Sequence, residues 1–219
     1  MTNLIDTIIV PQGTEYQAVC RGLKEIDGPK PRVIAIPIGV NQEIQSFAAK
    51  RVLMMGLCGS LSPHHSVGDG VLYQACYNLH RSCLSTDLEL TNLIAARLQN
   101  SVSLVTGLTS DRVIGQAKEK SILSQNYPAT VVDMEGFSYL QNLQQQDVAV
   151  SILRVVSDDC FTDIPNLDRA IDSDGNLKFG HLAIAMLKQP FPAFKLITGS
   201  LTGLKKLQQL TTQLFNRLS

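Results

Sequence analysis

The chain has 219 residues, of which 44% are hydrophobic and 17% are charged, and it contains no Trp. This composition is ordinary for a globular protein, with enough apolar residues for one large α/β domain and nothing that requires two. The 19 basic and 19 acidic residues give a formal net charge of zero, which argues against a nucleic-acid partner. No apolar run in the sequence approaches the length needed to span a membrane.

The zero net charge conceals an asymmetry along the chain. No Asp or Glu follows Asp174, whereas six Lys or Arg residues do, so this part carries +6 and the first 174 residues carry −6. Such an asymmetry suggests that the C-terminal part meets something anionic. The five cysteines include no C-x-x-C pair, and the start of the sequence lacks the pattern of a signal peptide. We therefore expect reduced thiols and a cytoplasmic protein.

Apolar strand patterns and helical patterns alternate along the chain. The predicted strands are Leu4–Val10, Val33–Ile38, Val52–Gly56, Val71–Ala75, Val102–Leu108, Thr130–Met134 and Val148–Val156. The predicted helices are Glu15–Leu23, Gln42–Lys50, Asp87–Leu98, Ala117–Gln125, Phe137–Gln145 and Leu177–Lys188. We expect Thr14 to cap the first helix and Gly56–Leu61 to form a glycine-containing turn. The alternation predicts a single-domain α/β fold with a largely parallel mixed sheet flanked by helices.

The last segment has a different character. We expect residues 1–189 to form the α/β domain and residues 190–219 to form a basic amphipathic helical tail. A break is expected at Pro190 and Pro192, and an interruption at Gly199 or Gly203. The apolar positions of the tail advance by three or four residues, at Phe194, Ile197, Leu201, Leu204, Leu207, Leu210, Leu214 and Leu218. Such a helix can pack on its own domain, pack on a second subunit, or lie in an anionic membrane interface.

Carboxylates follow two of the predicted strands directly. The β-branched run Thr130–Val132 stops at Asp133–Gly136, and the strand Val148–Val156 is followed by Ser157–Asp159. In open α/β sheets, the carboxyl ends of the strands face the crevice in which ligands bind. Each acid taken singly could instead cap or stabilise the helix or turn that follows it. Acids at two such strand ends together predict an active site.

Four motifs in register resemble the nucleoside phosphorylase and nucleosidase superfamily, which includes purine nucleoside phosphorylases and methylthioadenosine/S-adenosylhomocysteine nucleosidases. They are Met55–Leu61, Val67–Asp69, Asp133–Gly136 and Arg154–Asp158, and the resemblance spans roughly residues 4–160. It implies a nucleoside phosphorylase-like fold and an enzyme that cleaves the N-glycosidic bond of a purine nucleoside. It further implies a homo-oligomer, no metal, and no cofactor other than phosphate as one candidate co-substrate.

The resemblance also implies roles for individual residues. Asp158 would protonate N7 of the leaving purine, and Glu135 would accept hydrogen bonds from the ribose hydroxyls. Met134 would pack against the sugar. Glu15 would orient the attacking water, and Arg154 could hold that carboxylate or the nucleophile.

Further positions complete the predicted site. They are Gly56 and Gly59, whose backbones permit close approach, together with Asp133, Ser157 and Val113. Three departures from the superfamily pattern leave the choice between water and phosphate open. Leu57 replaces a small hydroxyl residue, and Val113 replaces an aromatic residue that commonly stacks on the base. The phosphate-binding arginines of the larger phosphorylases have no clear counterpart near Pro11–Gly13.

The C-terminal part is similar to the hopanoid-associated branch of this superfamily. The similarity rests on Asp172–Gly175, Lys188–Pro190 and the leucine-rich end. It implies that the substrate is adenosylhopane, a lipid-linked nucleoside, and that the tail contacts the membrane surface. The alternatives are a soluble methylthioadenosine/S-adenosylhomocysteine nucleosidase, a purine nucleoside phosphorylase, and a non-catalytic protein that binds a nucleoside or lipid.

Overall fold

The structure is a computed structural model that describes residues 4–39, 49–165 and 189–216. The strands in these ranges are β1 (Thr7–Pro11), β2 (Arg32–Ile36), β3 (Arg51–Ser60), β4 (Gly70–Asn78), β5 (Cys83–Ser85), β6 (Val102–Thr109), β7 (Val131–Asp133) and β8 (Ala149–Asp158). The α-helices are α1 (Thr14–Lys24), α2 (Leu88–Leu98), α3 (Ala117–Asn126), α4 (Gly136–Gln144) and α5 (Pro190–Phe215), with a 3₁₀ turn at Gln99–Ser101. The predicted helix Leu177–Lys188 and residues 42–48 of the predicted helix Gln42–Lys50 lie outside the described residues.

All these strands belong to one mixed sheet with the order β2-β1-β3-β7-β6-β4-β5. Strand β8 pairs with both β3 and β4, so β3, β7, β6, β4 and β8 close into a ring. Five pairings are parallel, whereas β3/β7, β4/β5 and β4/β8 are antiparallel. The predicted α/β fold with a largely parallel mixed sheet is therefore confirmed. The short strand β5 was not predicted.

Strand β3 is longer than its sequence suggests. It continues to Ser60, so the prediction of a turn at Gly56–Leu61 is wrong. Parallel pairing with β8 extends from Arg51 to Gly59, and these backbone hydrogen bonds keep the glycines extended. Gly59 is paired with Asp158 on one side and Val132 on the other. The ends of β7 and β8 therefore lie on either side of β3.

The first helix is capped differently from the prediction. Its N-cap is Gly13, in a backbone conformation with φ of 91° that favours glycine, and Thr14 is the first helical residue. Helix α2 has a side-chain cap, because Asp87 accepts a hydrogen bond from Leu90 N–H at 2.8 Å.

Helix α5 begins at Pro190 and is continuous to Phe215, so the predicted interruption at Gly199 or Gly203 is wrong. The predicted break at Pro190 and Pro192 stays a prediction, because the helix expected before it lies outside the described residues. Both prolines lie in the first turn, where a helix needs no intrahelical N–H donor. Gly199 and Gly203 instead let the helix lie close to the sheet. A Cβ at Gly199 would collide with the backbone oxygen of Ser157.

The two halves of α5 differ in exposure. Leu204, Leu207, Leu210 and Leu214 lie in the core with side chains of α1, α2 and the sheet. The second half of the leucine stripe therefore packs on its own domain, which was one of the alternatives that the sequence left open. The first half exposes Phe191, Phe194, Ile197 and Leu201. Within the described ranges, no helix is long and apolar enough to cross a membrane. The boundary after residue 189 stays a prediction.

Replacing Leu207 by Ala tests the core position of α5. Leu207 is fully buried, so we expect Leu207→Ala to lower the free energy of unfolding by about 2–5 kcal/mol, through lost burial and a residual cavity. Leu201 on the same helix is 62% exposed, and Leu201→Ala should change it by less than about 1 kcal/mol. Urea denaturation measures both values. Similar small losses in the two variants would contradict the placement of α5 in the core.

Candidate active site

A cavity of about 430 Å³ lies where β3, β7 and β8 end. Helix α1, the segment between β6 and α3, and the first half of α5 complete its wall. Of the predicted site residues, the cavity is lined by Glu15, Gly59, Val113, Asp133, Met134, Glu135, Ser157 and Asp158. The structure therefore brings the predicted acids of three separate elements to one place.

Glu15 lies in the first turn of α1 and faces the end of β3. Its Oε1 accepts a hydrogen bond from Leu57 N–H at 2.7 Å. A side chain at Gly56 would collide with Arg154 and would place its Cβ 2.9 Å from Glu15 Oε1, so glycine is required there. Desolvation raises the pKa of Glu15, and the Leu57 hydrogen bond and the charge of Arg154 partly offset this rise.

Arg154 on β8 is the buried cation of the site. It is 1% exposed, and its Nε donates to Asp133 Oδ2 at 3.0 Å. Its Nη2 donates to Glu135 Oε2 at 3.4 Å. Burial alone would lower the pKa of the guanidinium, but the two carboxylates outweigh burial and raise it. Arg154 therefore fixes two carboxylates from behind the cavity wall, and its assignment as a catalytic residue stays a prediction.

Asp133 lines the cavity, but its carboxylate serves the fold. Oδ1 accepts hydrogen bonds from the Thr109 hydroxyl at 2.7 Å and from Gly136 N–H at 3.0 Å, while Oδ2 is bound by Arg154. Thr109 Oγ1 in turn accepts a hydrogen bond from Phe137 N–H at 2.8 Å. These contacts fix the turn from β7 into α4 and occupy both carboxylate oxygens of Asp133.

Glu135 is held less completely than Asp133. Its Oε1 accepts a hydrogen bond from Gly39 N–H at 3.1 Å, and Arg154 reaches its other oxygen. Desolvation raises the pKa of Glu135 to about 7, against the lowering effect of Arg154. Since Glu135 is 4% exposed and lines the cavity, its carboxylate is a candidate acceptor for ligand hydroxyls.

Asp158 stands at the end of β8 with its side chain 13% exposed. The Ser157 hydroxyl lies 2.9 Å from Asp158 Oδ1 and 3.2 Å from the carbonyl oxygen of Cys58, so it donates to one of the two. Lys120 Nζ donates to Asp158 Oδ2 and to the carbonyl oxygen of Asp159. Lys120 was not predicted as a site residue, because nothing in its sequence context separates it from the neighbouring Lys118.

The start of α3 is what brings Lys120 to Asp158. Ala117 N–H donates to Asp163 Oδ1 at 2.8 Å, and Ile164 N–H donates to the carbonyl oxygen of Gly115 at 2.8 Å. These bonds join the segment before α3 to the segment after β8. One turn into the helix, Lys120 is fully buried against Asp158.

The remaining wall of the cavity is largely apolar. Val113 occupies the place of the expected aromatic residue, and Leu57 also lines the cavity. Helix α5 adds Leu196, Ile197, Leu201 and Leu204. In the ranges 4–39, 49–165 and 189–216, His, Cys, Asp and Glu side chains form no group of three that could hold a metal ion.

The sequence matches the family described as the phosphorylase superfamily over residues 38–178, which is more than half of the chain. The chain belongs to the phosphorylase superfamily. A sequence comparison with curated proteins gives no match. Membership of the phosphorylase superfamily confirms the expected class of enzyme, one that cleaves N-glycosidic bonds, at the level of the family.

Comparison with solved structures places the fold of this phosphorylase-superfamily member beside those of nucleosidases. Futalosine hydrolase of Helicobacter pylori strain 26695 aligns with a TM-score of 0.69 and 15% identity, covering 95% of each chain. The Helicobacter pylori 5′-methylthioadenosine/S-adenosylhomocysteine nucleosidase gives 0.66 and 17%, covering 93% of this chain and 96% of the other. A putative nucleosidase of the same kind from Francisella philomiragia gives 0.67 and 16%, covering 97% and 98%. These likenesses confirm the nucleoside phosphorylase-like fold.

The pKa of Glu135 makes stability depend on pH. The folded protein binds the Glu135 proton up to about pH 7, whereas the unfolded chain releases it near 4.5. The contribution of Glu135 to the free energy of unfolding is therefore fully present below about pH 4.5 and is lost as the pH rises to about 7. We expect Glu135→Gln to remove this dependence, which amounts to a few kcal/mol at about 1.4 kcal/mol per pKa unit.

Denaturant unfolding at pH 5 and pH 8 measures the effect. The matched control is Glu89→Gln, because the Glu89 side chain is 76% exposed. Its pH dependence should equal that of the wild type. A wild-type-like dependence in Glu135→Gln would show that Glu135 does not titrate between these values in the folded protein.

Proposed function

We propose that this protein hydrolyses the N-glycosidic bond of an adenine nucleoside and releases the base. The observation that supports this most directly is that Glu15, Glu135 and Asp158 line one cavity, although they come from α1, the β7–α4 turn and β8. Cleaving this bond needs an acid for the departing base, a group that stabilises positive charge on the sugar, and a base for the nucleophile. Three separately placed carboxylates can fill these three roles.

Asp158 is the proposed acid. Adenine leaves poorly as an anion, so a proton delivered to N7 while the C1′–N9 bond breaks lowers the barrier. The Asp158 side chain is partly exposed and lines the cavity, and its contacts with Ser157 and Lys120 fix its orientation.

Glu135 is the proposed acceptor for the ribose hydroxyls. Arg154 and Gly39 N–H hold its carboxylate in place, and Met134 beside it lines the cavity at a position suited to the apolar side of the sugar. A carboxylate close to the ribose also favours the positive charge that develops at C1′.

Water is the proposed nucleophile, with Glu15 as the group that accepts its proton. Leu57 N–H, a donor at the β3 segment that could otherwise have served a phosphate oxygen, is already bound by Glu15. A phosphate dianion at this point would also be repelled by the Glu15 carboxylate.

Glu15→Gln tests the hydrolytic assignment. In phosphate-free buffer, we expect adenine release from adenosine to fall by about 10²–10⁴-fold, because the variant cannot accept a proton from water. Glu89→Gln serves as the control and should retain wild-type activity. Adding phosphate should neither accelerate the wild type nor yield ribose 1-phosphate. A strict phosphate requirement would assign the protein to phosphorolysis instead.

The proposed substrate is adenosylhopane, whose hopane group is far too apolar to diffuse freely in water. Support comes from α5, which gives the cavity an apolar wall and carries the exposed Phe191 and Phe194 on the same half. The proposal is tested by adenine release from adenosylhopane, 5′-methylthioadenosine and S-adenosylhomocysteine, and by base release from futalosine. Preference for one of the soluble nucleosides would identify a soluble nucleosidase, and binding without release from any of them would identify a non-catalytic binding protein.

We further propose that the protein works in the cytoplasm, as a homo-oligomer, at an anionic membrane surface. The contact would be made by the first half of α5, where Phe191 and Phe194 are 85% and 68% exposed. The described part of α5 contains Lys195, Lys205 and Lys206 and no acidic residue. Apolar side chains beside lysines fit an interface of acyl chains and anionic headgroups.

Co-sedimentation with anionic vesicles tests this contact. We expect wild-type protein to sediment with the vesicles at low salt and less at high salt, since screening weakens the lysine contribution. The double variant Phe191→Ser/Phe194→Ser should remain in the supernatant, whereas Leu88→Ser, which changes a leucine that is 70% exposed elsewhere, should behave as wild type. If the double variant instead loses oligomeric mass in light scattering and the wild type ignores vesicles, the exposed face is a subunit interface.

A further inference from the structure

Lys120 is a fully buried lysine whose ammonium group contacts Asp158. Its side chain is 0% exposed, and its Nζ donates to Asp158 Oδ2 and to the carbonyl oxygen of Asp159. Lysine is almost never fully buried unless it is paired. A buried ammonium is also costly when its partner is lost, so Asp158 is the partner that makes the burial of Lys120 tolerable.

This inference rests on the proposed function, which requires Asp158 to give a proton to the leaving purine. An acid that protonates the leaving purine must have a proton to give, whereas an ammonium group against its carboxylate favours the ionised form. Lys120 and Asp158 must therefore be considered together, because one mobile proton is shared between them. We propose that Lys120 supplies, through Asp158, the proton that the departing purine takes. Lys120 would thus be a positioning and proton-supplying residue that acts through Asp158.

The step balances in protons and charge. As the C1′–N9 bond breaks, its electron pair moves into the purine, and N7 takes a proton from Asp158. Asp158 takes a proton from Lys120 Nζ, which becomes a neutral amine. Water forms the new C1′–O bond and releases a proton to Glu15. The site ends with a neutral Lys120 and a protonated Glu15, and exchange with solvent restores both.

The surroundings leave Lys120 as the donor nearest to Asp158. The Asp159 carboxylate accepts hydrogen bonds from the N–H groups of Phe161 and Thr162, so its oxygens are bound within its own turn. Two thiols lie near the pair: the charge of Asp158 acts on Cys58, and the charge of Lys120 acts on Cys160. Burial raises the pKa of both thiols. Asp158 lines a second cavity, of about 260 Å³, together with hydroxyl groups such as that of Thr162, to which Lys195 donates at 3.0 Å. This cavity offers a route for proton return.

The test compares Lys120→Met, Lys120→Arg and the control Lys118→Met. Met keeps the length of the side chain without a proton to give, and Arg keeps the charge but does not release a proton near neutral pH. Lys118 is an exposed lysine on the same helix. Each variant is assayed at pH 7 with adenosine and with 4-nitrophenyl β-D-riboside, whose phenolate leaves without protonation.

We expect Lys120→Met and Lys120→Arg to lose about 10²-fold in adenine release and to stay within a few-fold of wild type in nitrophenol release. Adenine release by Lys120→Met should recover as the pH is lowered, because Asp158 then takes its proton directly from solvent. Lys118→Met should match the wild type on both substrates. Full activity in Lys120→Arg, or faster adenine release in Lys120→Met, would overturn the proposal. Either result would mean that Lys120 acts only through its charge and not as a proton donor.

If both Lys120 variants lose nitrophenol release as well, the pH dependence of the wild-type protein on the two substrates tests the proposal instead. A free aspartic acid, with a pKa of about 3.9, has lost its proton well below neutral pH, whereas a free lysine, with a pKa of about 10.4, keeps its proton into the alkaline range. A ratio of adenine to nitrophenol release that falls only above about pH 8 supports the proposal, and one that falls below about pH 6 overturns it. Failure of the proposed function would appear separately, as wild-type protein that releases no adenine from any nucleoside.

Discussion

The guanidinium of Arg154, buried beneath the cavity, is the charge on which the site depends. It binds Asp133 and Glu135, which come from the turn between β7 and α4, while Arg154 itself lies on β8. Removing the cation would leave two buried carboxylates without compensation, a situation that typically destabilises a protein by several kcal/mol. The same contacts hold β7 and β8 on opposite sides of β3. The arrangement of the strands and the position of Glu135 therefore have one cause.

Burial and hydrogen bonding divide the carboxylates into different roles. Asp133 accepts hydrogen bonds from Thr109 and Gly136 as well as from Arg154, so its oxygens are used within the protein. Glu135 has fewer internal donors and a pKa near 7, which leaves it responsive to a ligand. Asp158 is the partly exposed member, and it has a buried lysine behind it. Side chains of one chemical type thus differ in function because their surroundings differ.

Helix α5 contributes both to the hydrophobic core and to the wall of the cavity. Its second half is part of the hydrophobic core, while its first half forms a wall of the cavity and exposes aromatic side chains. The close approach at Gly199 and Gly203 sets the distance between this helix and the strands that carry the acids. A change in the first half can therefore alter what the cavity accepts while the second half keeps the helix in place.

The sequence by itself determined the α/β class, most strands and helices, and the acids at the ends of β7 and β8, because alternating patterns and strand-end carboxylates are local signals. It did not determine the continuity of β3 through Gly56 and Gly59, which pairing with β8 imposes. The burial of the α5 leucines was also undetermined, since an amphipathic stripe is the same whether it faces a core or a membrane. Lys120 and Asp158 are 38 positions apart and meet because the segment before α3 is joined to the segment after β8. A contact between residues so distant in sequence exists only in the tertiary structure.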